Sequence, residues 1–171
     1  SDIIENFIHV SNDEEQFFNN ITKKIEIKKT TSLIFPRYHQ LDVVKQIKKE
    51  VKKDGAGNNY LIQHTTGSGK SFEIGWLAHS LTSLYQKDTD DRRIFDTIIV
   101  ISDRKVLDKQ LQNTIKSLAQ TLGVVKAVDE SSDQLKRYLE DGKDIVITTI
   151  QKFPFISDTI SSLGDKKFAV I

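Results

Sequence analysis

The sequence predicts an α/β domain built on a mostly parallel sheet with helices on both of its faces. Two observations carry that expectation. Apolar runs of strand length alternate along the chain with amphipathic helical patterns, the signature of successive βαβ units. A glycine-rich loop stands between an apolar run and a helical pattern, where open parallel sheets place their ligands. The 171 residues, 19.5 kDa in all, suffice for one core of ordinary size. At 37% hydrophobic and 29% charged residues, the composition is neither that of a disordered chain nor that of a membrane protein.

The elements follow in order. Residues 1–33 read as a connection ahead of the main lobe or as an extra strand at its edge, with a helix over Asp13 to Asn20. Residues 34–171 form the lobe itself. Pro36 is placed to open a helix, and Leu41, Val44, Ile47 and Val51 recur at helical spacing until Gly55-Ala56-Gly57-Asn58-Asn59 ends it. Tyr60-Leu61-Ile62 is a short strand. A helix from Lys70 carries Ile74, Leu77, Ala78, Leu81 and Leu84 on one side, and the polar loop Lys87 to Arg93 closes it. Thr97-Ile98-Ile99-Val100-Ile101 is a continuous β-branched run, as expected of a strand covered on both faces. A helix over 103–120 packs on it through Val106, Leu107, Leu111, Ile115 and Leu118. Val124 to Val128 is another strand, Ser131 with Gln134 makes a capping box for a helix through Leu139, and Ile145-Val146-Ile147 is the next buried strand. The final run, Lys167-Phe168-Ala169-Val170-Ile171, is strand-like and has no turn or polar tail after it, which reads as a cut end.

The loop His64-Thr65-Thr66-Gly67-Ser68-Gly69-Lys70-Ser71 ends in the Walker A form, with the strand before it and the helix after it that the motif requires. Glycines let backbone N–H groups turn inward as an anion nest, and the helix N-terminus adds its positive dipole end. Gly67 and Gly69 supply that freedom. Thr66 and Ser68 lie in the same nest, Lys70 reaches the β- and γ-phosphates, and the Ser71 hydroxyl ligates Mg²⁺. His64 stands where the general pattern has its first Gly, a departure from the commonest small kinases and switch GTPases, and is read as structural.

Four stretches now stand in order: Arg37-Tyr38-His39-Gln40, Gln63 to Ser71, Ile99 to Leu111, and Thr148-Thr149-Ile150-Gln151-Lys152-Phe153. Together they resemble superfamily 2 helicase motifs, closest in wording to the restriction (R) subunit of type I restriction-modification enzymes, over about residues 34 to 171. The resemblance implies the first RecA-like, three-layer P-loop NTPase lobe of an ATP-driven double-stranded DNA translocase, which in the full-length protein belongs to an endonuclease. It implies ATP and Mg²⁺ as cofactors, a cytoplasmic location, and methyltransferase and specificity subunits as partners beside the DNA. It assigns Gln40 to the adenine, with Arg37 as a helper near the base, although by residue type Arg37 is first a polar residue exposed at a helix start. Ser102, Asp103 and Arg104 fall in one DNA-backbone motif and Thr148 and Thr149 in the next. Arg104 and Lys105 suit phosphate; Asp103 would repel it and is equally a helix cap, and threonine is also a good strand residue.

The chain departs from the family pattern in stopping before the acidic Asp-Glu-Ala-His box, so the piece by itself is expected to be inactive in hydrolysis. Two other readings remain open: another superfamily 2 helicase or repair ATPase, and a non-catalytic nucleotide- or DNA-binding module. Glu26-Ile27-Lys28 has the Glu-x-Lys spelling of metal-dependent nucleases but lies too close to Lys70 for a nuclease core, inside a lysine-rich run. The net charge of +1 requires any DNA contact to be local. Without cysteine there are no disulfides or thiolate metal sites, and no stretch nears the roughly 18 apolar residues of a membrane helix. His9, His39 and His79 have no close His pairing in sequence, which argues against zinc, and Phe72 with Trp76 read as packing residues.

Overall fold

The computed structural model describes residues 7–85, 92–103, 105–119, 123–128, 131–156, 161 and 163–171. The chain divides into two units, residues 1–37 and 38–171.

The first unit is a hairpin in which β1 (His9–Asn19) pairs antiparallel with β2 (Lys24–Ile34) along its full length, from His9 opposite Ile34 to Asn19 opposite Lys24. The helix expected over Asp13 to Asn20 is therefore corrected to a strand. β2 is rich in β-branched residues, and a full ladder with it outweighs the weak helical pattern of β1. At the turn, the Asn19 side-chain oxygen accepts from the backbone N–H of Ile21 and Thr22. Lys23 takes the left-handed conformation at φ 55°, closing the reversal. Glu26 accepts from Asn19 Nδ2 at 2.9 Å and Thr22 Oγ1 at 2.7 Å, bonds that hold its carboxyl below the usual range. The Glu-x-Lys carboxylate is thus turn chemistry.

In the second unit a four-stranded parallel sheet runs in the order β4 (Val125–Ala127), β5 (Ile145–Thr149), β3 (Thr97–Ser102), β6 (Phe168–Val170). The expected α/β class with a parallel sheet is what the chain forms. Residues 98–100 and 145–147 are all at most 1% exposed, the burial on both faces that their unbroken apolar runs require. Register pairs Ile99 with Val146, and these two form one core cluster with Val128 and with Leu135 and Leu139 of α4 (Ser132–Glu140). The alternate positions, Ile98, Val100, Ile145 and Ile147, face the other way, toward α2 (Lys70–Thr82) and α3 (Lys105–Ser117), which pack on β3 and β5. Helices on both faces make the three layers.

The helices begin and end for identifiable reasons. α1 (Tyr38–Asp54) starts two residues after Pro36 and buries Val44, Ile47 and Val51. α4 opens on Ser131, whose hydroxyl accepts from the Gln134 N–H at 3.3 Å, as the capping pattern predicts. α2 lies between α1 and α3. Its approach to α3 is close because position 75 is glycine: a Cβ there would stand 2.6 Å from Leu118 Cδ1. His79 reinforces the same contact through Nε2 to Ile115 O at 2.9 Å.

Two further expectations are adjusted. The helix expected over 103–120 is described as 105–117, with Leu111 and Ile115, and Leu118 just beyond it, buried; the side chains of Val106 and Leu107, and residues 104 and 120, lie outside the described residues, as does most of the loop 87–93. The strand expected at Tyr60-Leu61-Ile62 is not formed. Leu61 is 93% exposed, and Tyr60 and Ile62 instead line a cavity of about 510 Å³ against α1, α2 and β6. Three apolar residues bracketed by Asn58-Asn59 and Gln63-His64 offer little burial to drive a ladder, although β6 presents an edge beside them.

Leu135 is fully buried against Ile99, Val128 and Val146. Leu135→Ala should lower unfolding free energy by about 2–5 kcal/mol in a denaturant titration; a loss below ~1 kcal/mol would contradict this core.

Candidate nucleotide-binding site

The glycine loop runs into α2 with the backbone its sequence demands. Gly67 has φ 78° and Gly69 has φ 83°, both left-handed, and Gly69 is the helix N-cap with no side-chain cap bond. Of the first-turn N–H groups, that of Phe72 turns back to Gly69 O at 3.1 Å, and those ahead of it have no partner within the helix. With the dipole end behind them they form the cradle an anion seeks. Ser68 is 8% exposed and its hydroxyl has no hydrogen-bond partner, a buried polar group of the kind that a ligand would satisfy. Thr66 is exposed and Ser71 half-buried beside Lys70. These observations fit a phosphate chain held by residues 66–71, with the Ser71 hydroxyl as a ligand for Mg²⁺.

Lys70 is folded over its own loop. Its ammonium donates to His64 O at 3.1 Å and Thr65 O at 2.8 Å. Both are exposed bonds to neutral carbonyls, weaker than charge-paired bonds to phosphate oxygens.

Gln40 is held more firmly. It is 4% exposed on the first turn of α1, and its side-chain amide donates to Ser68 O at 3.1 Å and Gly69 O at 3.0 Å. The φ of Gly69 calls for glycine, and a Cβ there would stand 2.5 Å from Gln40 Nε2 and push the end of that side chain from its place. Gln40, expected at the adenine, is thus held against the glycine loop. Arg37 is exposed and belongs to the hairpin unit.

Around the loop the fold assembles a cluster that spacing did not reveal. His64 Nδ1 lies 2.8 Å from Glu73 Oε2, and the Glu73 side chain is only 3% exposed. His39 Nε2 lies 3.2 Å from Ser68 O, and its ring meets that of His64 edge to face with centroids 4.9 Å apart. His39 was expected to lack a close histidine. The helix start and the loop, distant in sequence, bring His64 to it. The signals available were the histidine replacing the usual first glycine, and an acid at position 73, on a helix face that also buries Trp76 and Leu77. Trp76 is 3% exposed against Phe72, as packing residues should be.

The second group of expected residues gathers at the carboxyl ends of the strands. Register places Ser102 beside Thr149 and Ile101 beside Thr148. Thr148 is fully buried, with its hydroxyl unpaired, and Thr149 is 4% exposed, because the strand continues through them. Ser102 is likewise buried, and Asp103 is exposed. Arg104 lies outside the described residues. After β5 a 3₁₀ turn, Ile150–Ile156, ties three strand ends: Gln151 Nε2 donates to Asp103 O at 3.0 Å and Lys152 Nζ to Val128 O at 2.5 Å.

Comparison with known proteins agrees with this arrangement. A family model described as SWI2/SNF2 ATPase matches residues 39–171. A curated relative, the type I restriction enzyme HindI endonuclease subunit of Haemophilus influenzae, is 36% identical over 92 residues. That stretch is 53% of this chain and only 8% of the relative. The expected resemblance to type I restriction subunits is thereby borne out.

Two substitutions test the loop geometry. Gln40→Ala should destabilise the chain by about 1–3 kcal/mol. Gln40→Glu should cost more, because it sets a buried acceptor against two carbonyls. Equal thermal unfolding of wild type and both variants would rule out the Gln40 contact.

Proposed function

The chain belongs to the SWI2/SNF2 ATPase family, and from that premise we propose that it is the ATP-binding lobe of a double-stranded DNA translocase acting within a type I restriction endonuclease. The single observation that carries the nucleotide part is the uncapped helix start behind two left-handed glycines, with Lys70 and Ser71 as its first residues. The likeness to a type I restriction subunit supports the remainder.

In this reading Lys70 exchanges its two carbonyl bonds for the β- and γ-phosphate oxygens, moving from neutral acceptors to charged ones. Ser71 holds Mg²⁺, which when bound neutralises charge on the phosphates. Backbone N–H groups of Gly67 and of Gly69 to Ser71 would orient the phosphate chain, with Thr66 and Ser68 at its border. Gln40 fixes the loop through Ser68 and Gly69, so an adenine lodged near the start of α1 would be sensed directly at the phosphates.

DNA would run across the carboxyl ends of the strands. Ser102, Asp103 and Arg104 follow β3 there, and the bond from Gln151 to the Asp103 carbonyl joins that end to the turn after Thr148 and Thr149. With both threonines buried, their part would be to shape this surface rather than to touch phosphate through their hydroxyls. In the whole protein, methyltransferase and specificity subunits would select the DNA, a nuclease domain would cut it, and the complex would work in the cytoplasm.

Titration of the chain with Mg·ATP, beside Lys70→Ala, tests the site. The variant should bind ~10–100-fold more weakly, the equivalent of about 1.5–3 kcal/mol for a charge-assisted contact. Equal affinity would overturn the phosphate assignment. For the translocase reading, ATPase of the full-length protein should rise with duplex DNA and vanish in Lys70→Ala; hydrolysis indifferent to DNA would count against it.

A further inference from the structure

Three side chains that the nucleotide chemistry does not use meet beside the phosphate loop. His39 in the first turn of α1, His64 at the start of the loop and Glu73 in α2 each present one atom able to bind a metal, and these atoms all lie within 4.8 Å of one another. They come from three separate segments. Glu73 is the most telling member: its side chain is 97% buried by exposure, yet the only hydrogen bond described for its carboxylate is the one to His64. Two imidazoles and a carboxylate are the donor set that zinc takes in three-ligand sites, with a fourth position left for water.

We propose that His39, His64 and Glu73 form a binding site for a divalent transition-metal ion of the zinc type, distinct from the Mg²⁺ that accompanies the phosphates. Bonds of about 2.0–2.1 Å in a tetrahedral arrangement put donor atoms ~3.4 Å apart. From the present separations, 2.8 Å between His64 and Glu73 and at most 4.8 Å elsewhere, closure requires movements of about 1.5 Å or less. Both imidazoles are only half-buried, so ring rotations can supply that, while α2 holds the carboxylate in place. The chemistry selects the ion. Imidazole suits Zn²⁺, Co²⁺ and Ni²⁺, whereas Mg²⁺ prefers oxygen ligands and keeps its waters. A bound ion would fasten the start of α1, the start of the loop and the first turn of α2 to one another, so binding must also stabilise the fold.

Calorimetric titration of the chain with Zn²⁺, with Co²⁺ as the spectroscopic probe, tests the site without any nucleotide. One ion per chain is expected, with the intense visible absorption of tetrahedral Co²⁺, a rise in unfolding temperature, and no competition from excess Mg²⁺. His39→Ala and His64→Ala should each weaken Zn²⁺ binding by ~10-fold or more, since even the outer partners of metal ligands are worth that much. Glu73→Gln, which keeps the shape and a hydrogen bond to His64, should weaken it similarly with the circular dichroism of the fold retained. His9→Ala and His79→Ala should bind as wild type does. Absence of stoichiometric Zn²⁺ uptake by wild type would overturn the proposal. So would unchanged affinity in Glu73→Gln and His64→Ala, or a loss that follows His9 or His79 instead.

Discussion

The donation of one buried side-chain amide to two consecutive carbonyls organises the functional end of this domain. Gln40 comes from α1, and Ser68 and Gly69 come from the loop that opens α2. Those bonds fix where the loop sits against the helix before it, and hence where the N–H groups of α2 point. The contact bears on composition at both sides: a Cβ at 69 would displace the amide from its two carbonyls, and a carboxylate at 40 would face two acceptors. Lys70, Ser71 and the His64–Glu73 pair are all placed by a loop already pinned in this way.

The contact also links two properties that are easily treated as separate. The amide that steadies the loop belongs to the helix whose first turn carries His39, and His39 in turn lies 3.2 Å from the Ser68 carbonyl. Ser68 is therefore approached by two consecutive α1 residues. Its hydroxyl remains unpaired in the same small volume. A change at the start of α1 therefore acts on the two peptide units that open α2.

Much of this was legible in the sequence, and the reasons are specific. The runs 97–101 and 145–147 are unbroken and β-branched, which only a strand covered on both faces explains; the Walker A string and the Ser131 cap have short-range chemical causes that no distant contact overrides. What escaped depends on partners far along the chain. Residues 13–20 carry no strong strand pattern of their own, and only β2 across the turn makes them one. Tyr60-Leu61-Ile62 has strand composition and no ladder. The bonds of Gln40 to Ser68 and Gly69 are set by tertiary approach, which no spacing encodes. His39 and His64 could not be paired by spacing, because nothing in spacing says that a helix start and a later loop will bring their rings edge to face.

The 3₁₀ turn after β5 gives the sheet a property that strand pairing alone does not. Gln151 and Lys152, adjacent in sequence, are anchored to the chain ends following β3 and β4, and their own strand is β5. Three of the four strands therefore share one short strut at the carboxyl edge of the sheet. Displacing any one of these ends therefore strains the bonds that hold it to the others.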